Sequence, residues 1–329
     1  MVQNVPAAPT APCGDWPGGT GGARATCTIE AARWTRATSL PRTAASLFKG
    51  FRHVTWHGHL ALHYCRDGER TIAHDRHHGP LRVLQRLYPE GPGICHHVLV
   101  HPPGGIVGGD VLEIEDRLES GTHALITTPG ATRFYRSSGA LAVQSARLQV
   151  ADGARLEWLP LEAIAFSGCL AENRVQIDLA EGAQALGWDV VALGLPAADE
   201  SFTTGVFVQH LELPGRWLER GRIAASDARL LNSPLGLAGQ SVMATLWLAS
   251  GSAWPTVQRE ALLDVARTCM DDAPQIAHCG VTSPHDGALV LRALAARVEP
   301  AMALLQRVRA AWRQQAWDLP AHAPRVWRT

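Results

Sequence analysis

From residue 55 to residue 64 the chain alternates: Trp56, Leu60, Leu62 and Tyr64 fall on one parity, and His57, His59 and His63 on the other. An extended backbone points successive side chains to opposite sides, so this pattern specifies a strand with one buried face. The same period recurs through residues 98–100, 111–118, 124–128, 146–150, 156–158, 175–179 and 206–211. Three of the intervening turns carry a glycine, at Gly121, Gly153 and Gly182, spaced 32 and 29 residues apart. Glycine supplies the positive φ of a tight turn, and the spacing predicts successive hairpin units stacked side by side, without the exact repeat of a solenoid. Helical periodicity comes late. Trp254-Pro255 opens a segment with Val257, Ala261, Val265 and Cys269 at i+4 spacing, and a second segment from Pro300 carries Leu304, Leu305, Val308 and Trp312.

The expected fold is therefore mostly β: stacked antiparallel sheets, a distorted sandwich or helical β-stack, with about two C-terminal α-helices. Residues 1–46, rich in Ala, Pro, Gly and Thr and without a sustained period, read as a flexible tail, and 47–329 as a single β domain. A hydrophobic fraction of 46% is ample for a core. Thirty basic residues balance thirty acidic ones, which argues against nucleic acid as a partner. No apolar run approaches the roughly 20 residues of a membrane span, and no secretory signal opens the chain. Seven cysteines without a CxxC pair read as reduced thiols, and the compartment as cytoplasm.

The most unusual stretch is residues 101–110, His-Pro-Pro-Gly-Gly-Ile-Val-Gly-Gly-Asp. Four glycines and two prolines in ten residues specify unusual dihedrals and close approach of another group. A phosphate-binding loop would lead into a helix and, in its Walker form, carry Gly-Lys-Ser/Thr. Here an alternating strand follows and no lysine is present, so nucleotide binding fails on both counts. No Gly-x-Ser-x-Gly elbow or dinucleotide fingerprint supports an enzyme reading either.

The loop keeps specific company. Gly79-Pro80-Leu81-Arg82-Val83, Tyr88-Pro89-Glu90-Gly91 and Cys95-His96 precede it. Residues 127–137, Thr-Thr-Pro-Gly-Ala-Thr-Arg-Phe-Tyr-Arg-Ser, then Leu156-Glu157-Trp158-Leu159-Pro160 and the terminal Pro324-Arg325-Val326-Trp327 follow it. Together these resemble the UreD (UreH) family of urease accessory proteins over residues 51–329. Arg133 stands where the family tends to have lysine, and Leu161 where it has glutamine. The resemblance implies a distorted stack of β-sheets. It also implies a scaffold, not an enzyme, that works with UreF and the GTPase UreG to insert nickel into the urease apoprotein. No permanently bound cofactor is implied, only transient nickel. The alternative is a stand-alone nickel-binding carrier.

Candidate metal-path residues are Cys95, His96, His101 and Asp110, which crowd around the Gly-rich loop and offer thiolate, imidazole and carboxylate to a passing ion. No closed site is spelled out, and Asp110 after Gly-Gly equally suits an Asx-type turn. The alternate histidines 57, 59 and 63 could chelate, but the family pattern does not demand histidine there, and they read as a solvated face. Arg133, Tyr135 and Arg136 form either a cationic strand edge or, functionally, the charged wall of an internal channel or a partner contact. Glu157 and Glu162 flank an apolar run and require cationic partners, for which Arg133 and Arg136 are the candidates. Family-matched Glu200 and Glu219 are further interface or channel candidates. Trp312 and Trp327 are expected in a C-terminal docking element, against the alternative that they close the core.

Overall fold

The computed structural model describes residues 55–328, so the expected tail at 1–46 lies outside the described residues. The first elements are a hairpin, β1 (His57–Asp67) and β2 (Arg70–His78), turned at Gly68 with φ 55°. Two-residue β3 (Arg82–Val83) then pairs antiparallel with β4 (Ile94–Val100). From there the chain winds as a coil through β5 (Val111–Leu118), β6 (His123–Thr127), β7 (Thr132–Phe134), β8 (Ala142–Val150) and β9 (Arg155–Leu159). It continues through β10 (Ala163–Ala165), β11 (Leu170–Leu179), β12 (Gln184–Leu193) and β13 (Val206–Leu213). An antiparallel return, β14 (Trp217–Ala224), ends the coil. Then follow α1 (Ala228–Asn232), β15 (Val242–Ser250), α2 (Thr256–Asp271), β16 (His278–His285), β17 (Ala288–Ala295) and α3 (Val298–Trp317).

Two sheets result. The first runs β14-β13-β11-β8-β5-β1-β2, and the second β16-β17-β15-β12-β9-β6-β4-β3, with β10 and β7 branching from β12. The mostly-β class, the stacked sheets and the helices near the C-terminus match the expectation. The pairing does not: β1, β5, β8, β11 and β13 are parallel neighbours, as are β4, β6, β9 and β12. Antiparallel pairs are confined to the margins. The glycine turns are not hairpins. Gly121, Gly153 and Gly182, with φ 70°, 68° and 76°, each pass the chain from the first sheet to the second. Their spacing is one coil of a solenoid: Val111 pairs with Val143, 32 residues on, and Ala142 with Ala171, 29 residues on. Alternation alone could not reveal this, because a strand with one buried face has period two in either pairing.

Between the sheets lies a core that includes Leu60, Leu62, Leu112, Ile126, Trp158 and Trp247. A second core joins the outer face of the second sheet to α2 and α3. Strands β12 and β15 are therefore buried on both faces and read as near-continuous apolar runs. In α3 the expected Leu304, Leu305, Val308 and Trp312 are fully buried, with Pro300 in the first turn. The α2 face is displaced from expectation: Val257 is 84% exposed, and Leu262, Leu263 and Ala266 are buried instead. Cys95, Cys169, Cys269 and Cys279 are free thiols, whereas Cys65 is disulfide-bonded, contrary to the expectation of reduced cysteines throughout. Among the described residues no helix is long and apolar enough to cross a membrane.

Candidate functional site: a polar track in the lumen

Parallel stacking places equivalent positions of successive coils above one another. At one level this makes a ladder of amides on the inner face of the first sheet, with Asn173 directly paired to Gln144 on one side and Gln209 on the other. Gln144 donates to Asn173 Oδ1 (3.2 Å), Asn173 donates to Asp189 Oδ1 (2.8 Å), and Gln209 donates to Asp189 Oδ2 (2.6 Å). Asp189 reaches across the lumen from β12 and is 4% exposed. Beside it on β15 sits Thr245, fully buried, whose hydroxyl has no partner among the described residues. Next in the row, on β17, comes Arg292, bonded to Glu219 Oε2 of β14 (2.7 Å from Nε). The row thus runs from the interior to a half-exposed ion pair at the far edge.

At its near end the row meets solvent. A cavity of about 220 Å³ is lined by His101, Gly105, Thr128, Thr132, Arg133 and Gln144. A smaller one of about 40 Å³ shares His101, Thr128, Thr132 and Gln144 and extends inward to Ile114, Ile126 and Trp158. Gly104 and Gly105 of the Gly-rich loop belong to the lining of the larger. Ile106 bridges to Phe134 of β7, and a Cβ added at Gly105 would stand 2.1 Å from the Tyr135 ring. Only glycine admits that approach.

The electrostatics of the row are unbalanced. Burial pushes the Asp189 carboxyl up to about 6; the Gln209 hydrogen bond opposes this and the nearby Glu219 charge adds to it. Its partners are neutral amides, so among the described residues no cation compensates it. Burial also holds the half-buried His101 below the usual imidazole range, against the pull of Asp110, so a neutral imidazole faces the cavity at neutral pH.

The four expected metal-path residues are not brought together. Among the described residues no three His, Cys, Asp or Glu side chains are grouped to hold one ion. Period two separates Cys95 from His96: Cys95 points into the lumen core, its thiol pushed up to about 11 by burial, while His96 points outward to Glu90 (2.8 Å). Asp110 serves the turn, accepting from Trp56 N (3.1 Å) and Val107 N (3.0 Å). Arg133 lines the mouth, the Tyr135 ring packs on Phe166, and Arg136 lies over Gly168. Glu162 is held above its usual range by burial, with Glu299 adding to the shift and Arg133 opposing it. Glu200 is exposed and pairs through its backbone with Leu195.

Glu157 has other partners than those expected. It points outward beneath α3, where Arg309 donates twice to Oε2 (2.9 and 2.7 Å), Arg313 donates to Oε1 (2.8 Å) and His123 lies at 3.2 Å. Arg313 also bonds Glu90, which accepts from His96. Burial would raise Glu157, but Arg309, His123 and Arg313 outweigh it and hold the carboxyl well below the carboxylate range. Trp312 is fully buried, its Nε1 donating to Leu262 O (2.8 Å), which leaves it no face for a partner. Trp327 is partly buried against Trp188 and donates to Thr127 Oγ1 (2.8 Å).

Gln144, Asn173, Asp189, Gln209 and Thr245 were not singled out from the sequence. One signal was available: Asp189 is the lone carboxylate in the apolar run from Gly187 to Leu193, and a charge there demands a reason.

Comparison with known proteins agrees with the motifs. A family model described as UreD urease accessory protein matches residues 57–328. The chain is 61% identical over 278 residues to the urease accessory protein UreD of Leptothrix cholodnii, covering 84% of this chain and all of that protein. It is 56% identical over 276 residues to that of Variovorax paradoxus, at 84% and full coverage, and 57% identical over 274 residues to that of Verminephrobacter eiseniae, at 83% and 99% coverage. A family match across nearly all of the coiled fold, together with relatives covered end to end, places this chain in the UreD urease accessory protein family.

Proposed function

We propose that the chain is a non-catalytic scaffold of urease maturation, acting in the cytoplasm with UreF and the GTPase UreG on the urease apoprotein. In this reading the luminal track is the passage by which nickel reaches its destination. The observation that carries it is Asp189, a buried carboxylate raised to about 6, held by neutral amides and uncompensated by any cation among the described residues. A divalent ion arriving at such a group meets a buried carboxylate held only by amides and supplies the missing charge. Amide and hydroxyl oxygens of Gln144, Asn173 and Thr245 are weak ligands for nickel, which suits an ion that must leave again. His101 at the mouth offers neutral imidazole. The Glu219–Arg292 pair stands at the other end.

The test is activation of urease in cells that carry Asp189→Asn in place of the parent. The variant should still co-purify with UreF and UreG, while the urease it serves contains less nickel and shows lower activity. Normal nickel content from an assembled Asp189→Asn complex would remove the passage. Failure to co-purify the parent chain with UreF and UreG would remove the scaffold.

A further inference from the structure

The mouth of the lumen carries the wrong charge for a bare cation. Of the described residues that line its cavity of about 220 Å³, Arg133 alone is charged at neutral pH, and none is an Asp or Glu. Two carboxylates act on this corner from outside the lining, and both are committed elsewhere. Asp110 accepts from the amides of Trp56 and Val107. Glu162 is half-buried beside Glu299 and lies beyond ion-pair distance of Arg133. The remaining polar groups of the lining are donors short of acceptors. The backbone N–H groups of Gly105, Gly130 and Ala131 bond to no described residue, nor does the Thr132 hydroxyl. Gln144 gives one of its two amide hydrogens to Asn173 and keeps the other. Successive unpaired N–H groups in a turn, as at Gly130 and Ala131, favour an anion and need no helix behind them. A guanidinium fork adds two parallel N–H donors matched to an oxyanion.

We propose that this mouth binds one small inorganic oxyanion, of the phosphate or bicarbonate kind, held by the Arg133 fork, the Thr132 hydroxyl and the amides of Gly130 and Ala131. The anion supplies the negative charge that the lining lacks. With Arg133 neutralised, a divalent ion can approach the neutral imidazole of His101 without repulsion. That consequence rests on the passage proposed above; the binding itself does not.

Titration of the full chain with inorganic phosphate, and separately with bicarbonate, followed in backbone ¹H–¹⁵N spectra, tests this. The amides of Gly105, Gly130 and Ala131 should shift together and saturate with a Kd of about 1 mM or below. Arg133→Gln should weaken binding at least tenfold with Tm unchanged, because the side chain is exposed. Arg133→Lys keeps the charge but loses the fork, and should fall between the two. Thr132→Val removes one donor and should weaken binding about tenfold. Arg147→Gln, at an exposed position of β8 where Arg147 pairs with Asp178, should bind as the parent does. Absence of shifts with both anions, shifts confined to other amides, an Arg133→Gln variant that binds like the parent, or a nucleoside triphosphate that binds more tightly than phosphate would each overturn the proposal. No metal is present in this measurement, so its failure is distinct from a failure of nickel delivery through Asp189.

Discussion

Two buried carboxylates on opposite faces of the second sheet are treated in opposite ways. Glu157, on the outer face beneath α3, is met by Arg309 and Arg313, and with Glu90 the cluster balances two anions against two cations. Asp189, on the luminal face, is met by two amides. Both are out of water, yet Glu157 is driven below its usual range and Asp189 above it. Desolvation is common to both, so the sign is decided by whether a cation is built in. A matched charge fastens one element to another across 152 residues of sequence. An unmatched one is left ready for a cation from outside.

The comparison breaks most visibly at Glu157. Glu157→Gln leaves the buried Arg309 without a carboxylate and Arg313 with Glu90 alone, and should cost about 3–5 kcal/mol, measured as a lowered urea midpoint. If the variant unfolds at the parent's midpoint, α3 is not fastened by charge. The sign also fixes a pH dependence. A carboxyl lowered in the folded state contributes stability that is complete above the unfolded value of about 4.3 and is lost as pH falls below it.

Asp189 should behave in the reverse sense and by less. Its folded value of about 6 lies above the unfolded value of about 3.9. The folded state is therefore penalised as pH rises from about 4 through 6, by roughly 3 kcal/mol in all. Asp189→Asn should flatten stability across that window and leave the parent the less stable of the two at pH 7. Identical pH profiles would mean that Asp189 is compensated after all. The smallest effect belongs to the end of the chain: Trp327→Phe loses the bond to Thr127 but keeps ring packing on Trp188, and should cost about 1 kcal/mol in thermal unfolding.

Much of the fold was legible. Alternation found the strands, the late i+4 spacing found α2 and α3, and the Gly-rich loop was marked as a place of close approach, which the Tyr135 ring against Gly105 fulfils. The direction of pairing was not legible, since it depends on how turns are joined and not on which residues alternate. The amide ladder was hidden for a related reason. Gln144 and Asn173 are 29 residues apart but Asn173 and Gln209 are 36 apart, because the connection after β12 is longer. No fixed period links them; only the register does. The pairing of Glu157 with α3 had no local trace at all, and Arg133 and Arg136, the candidates named from the sequence, were the wrong partners.

A coil of parallel strands has two open ends in each sheet, and an open end is a template on which another chain can grow. Here every end is made unattractive. In the first sheet the outermost strands are reversed hairpin arms, one of which, β2, ends in Asp75, Arg76, His77 and His78. The other, β14, carries Glu219, Arg220 and Arg222. In the second sheet one terminus is the two-residue β3, and the other is β16, interrupted by Pro284 and by a break in register between Thr282 and His285. Short, charged, proline-bearing and irregular edges are what keep stacked sheets from continuing into fibres. A molecule whose interior repeats like a filament is thereby held to a fixed number of turns.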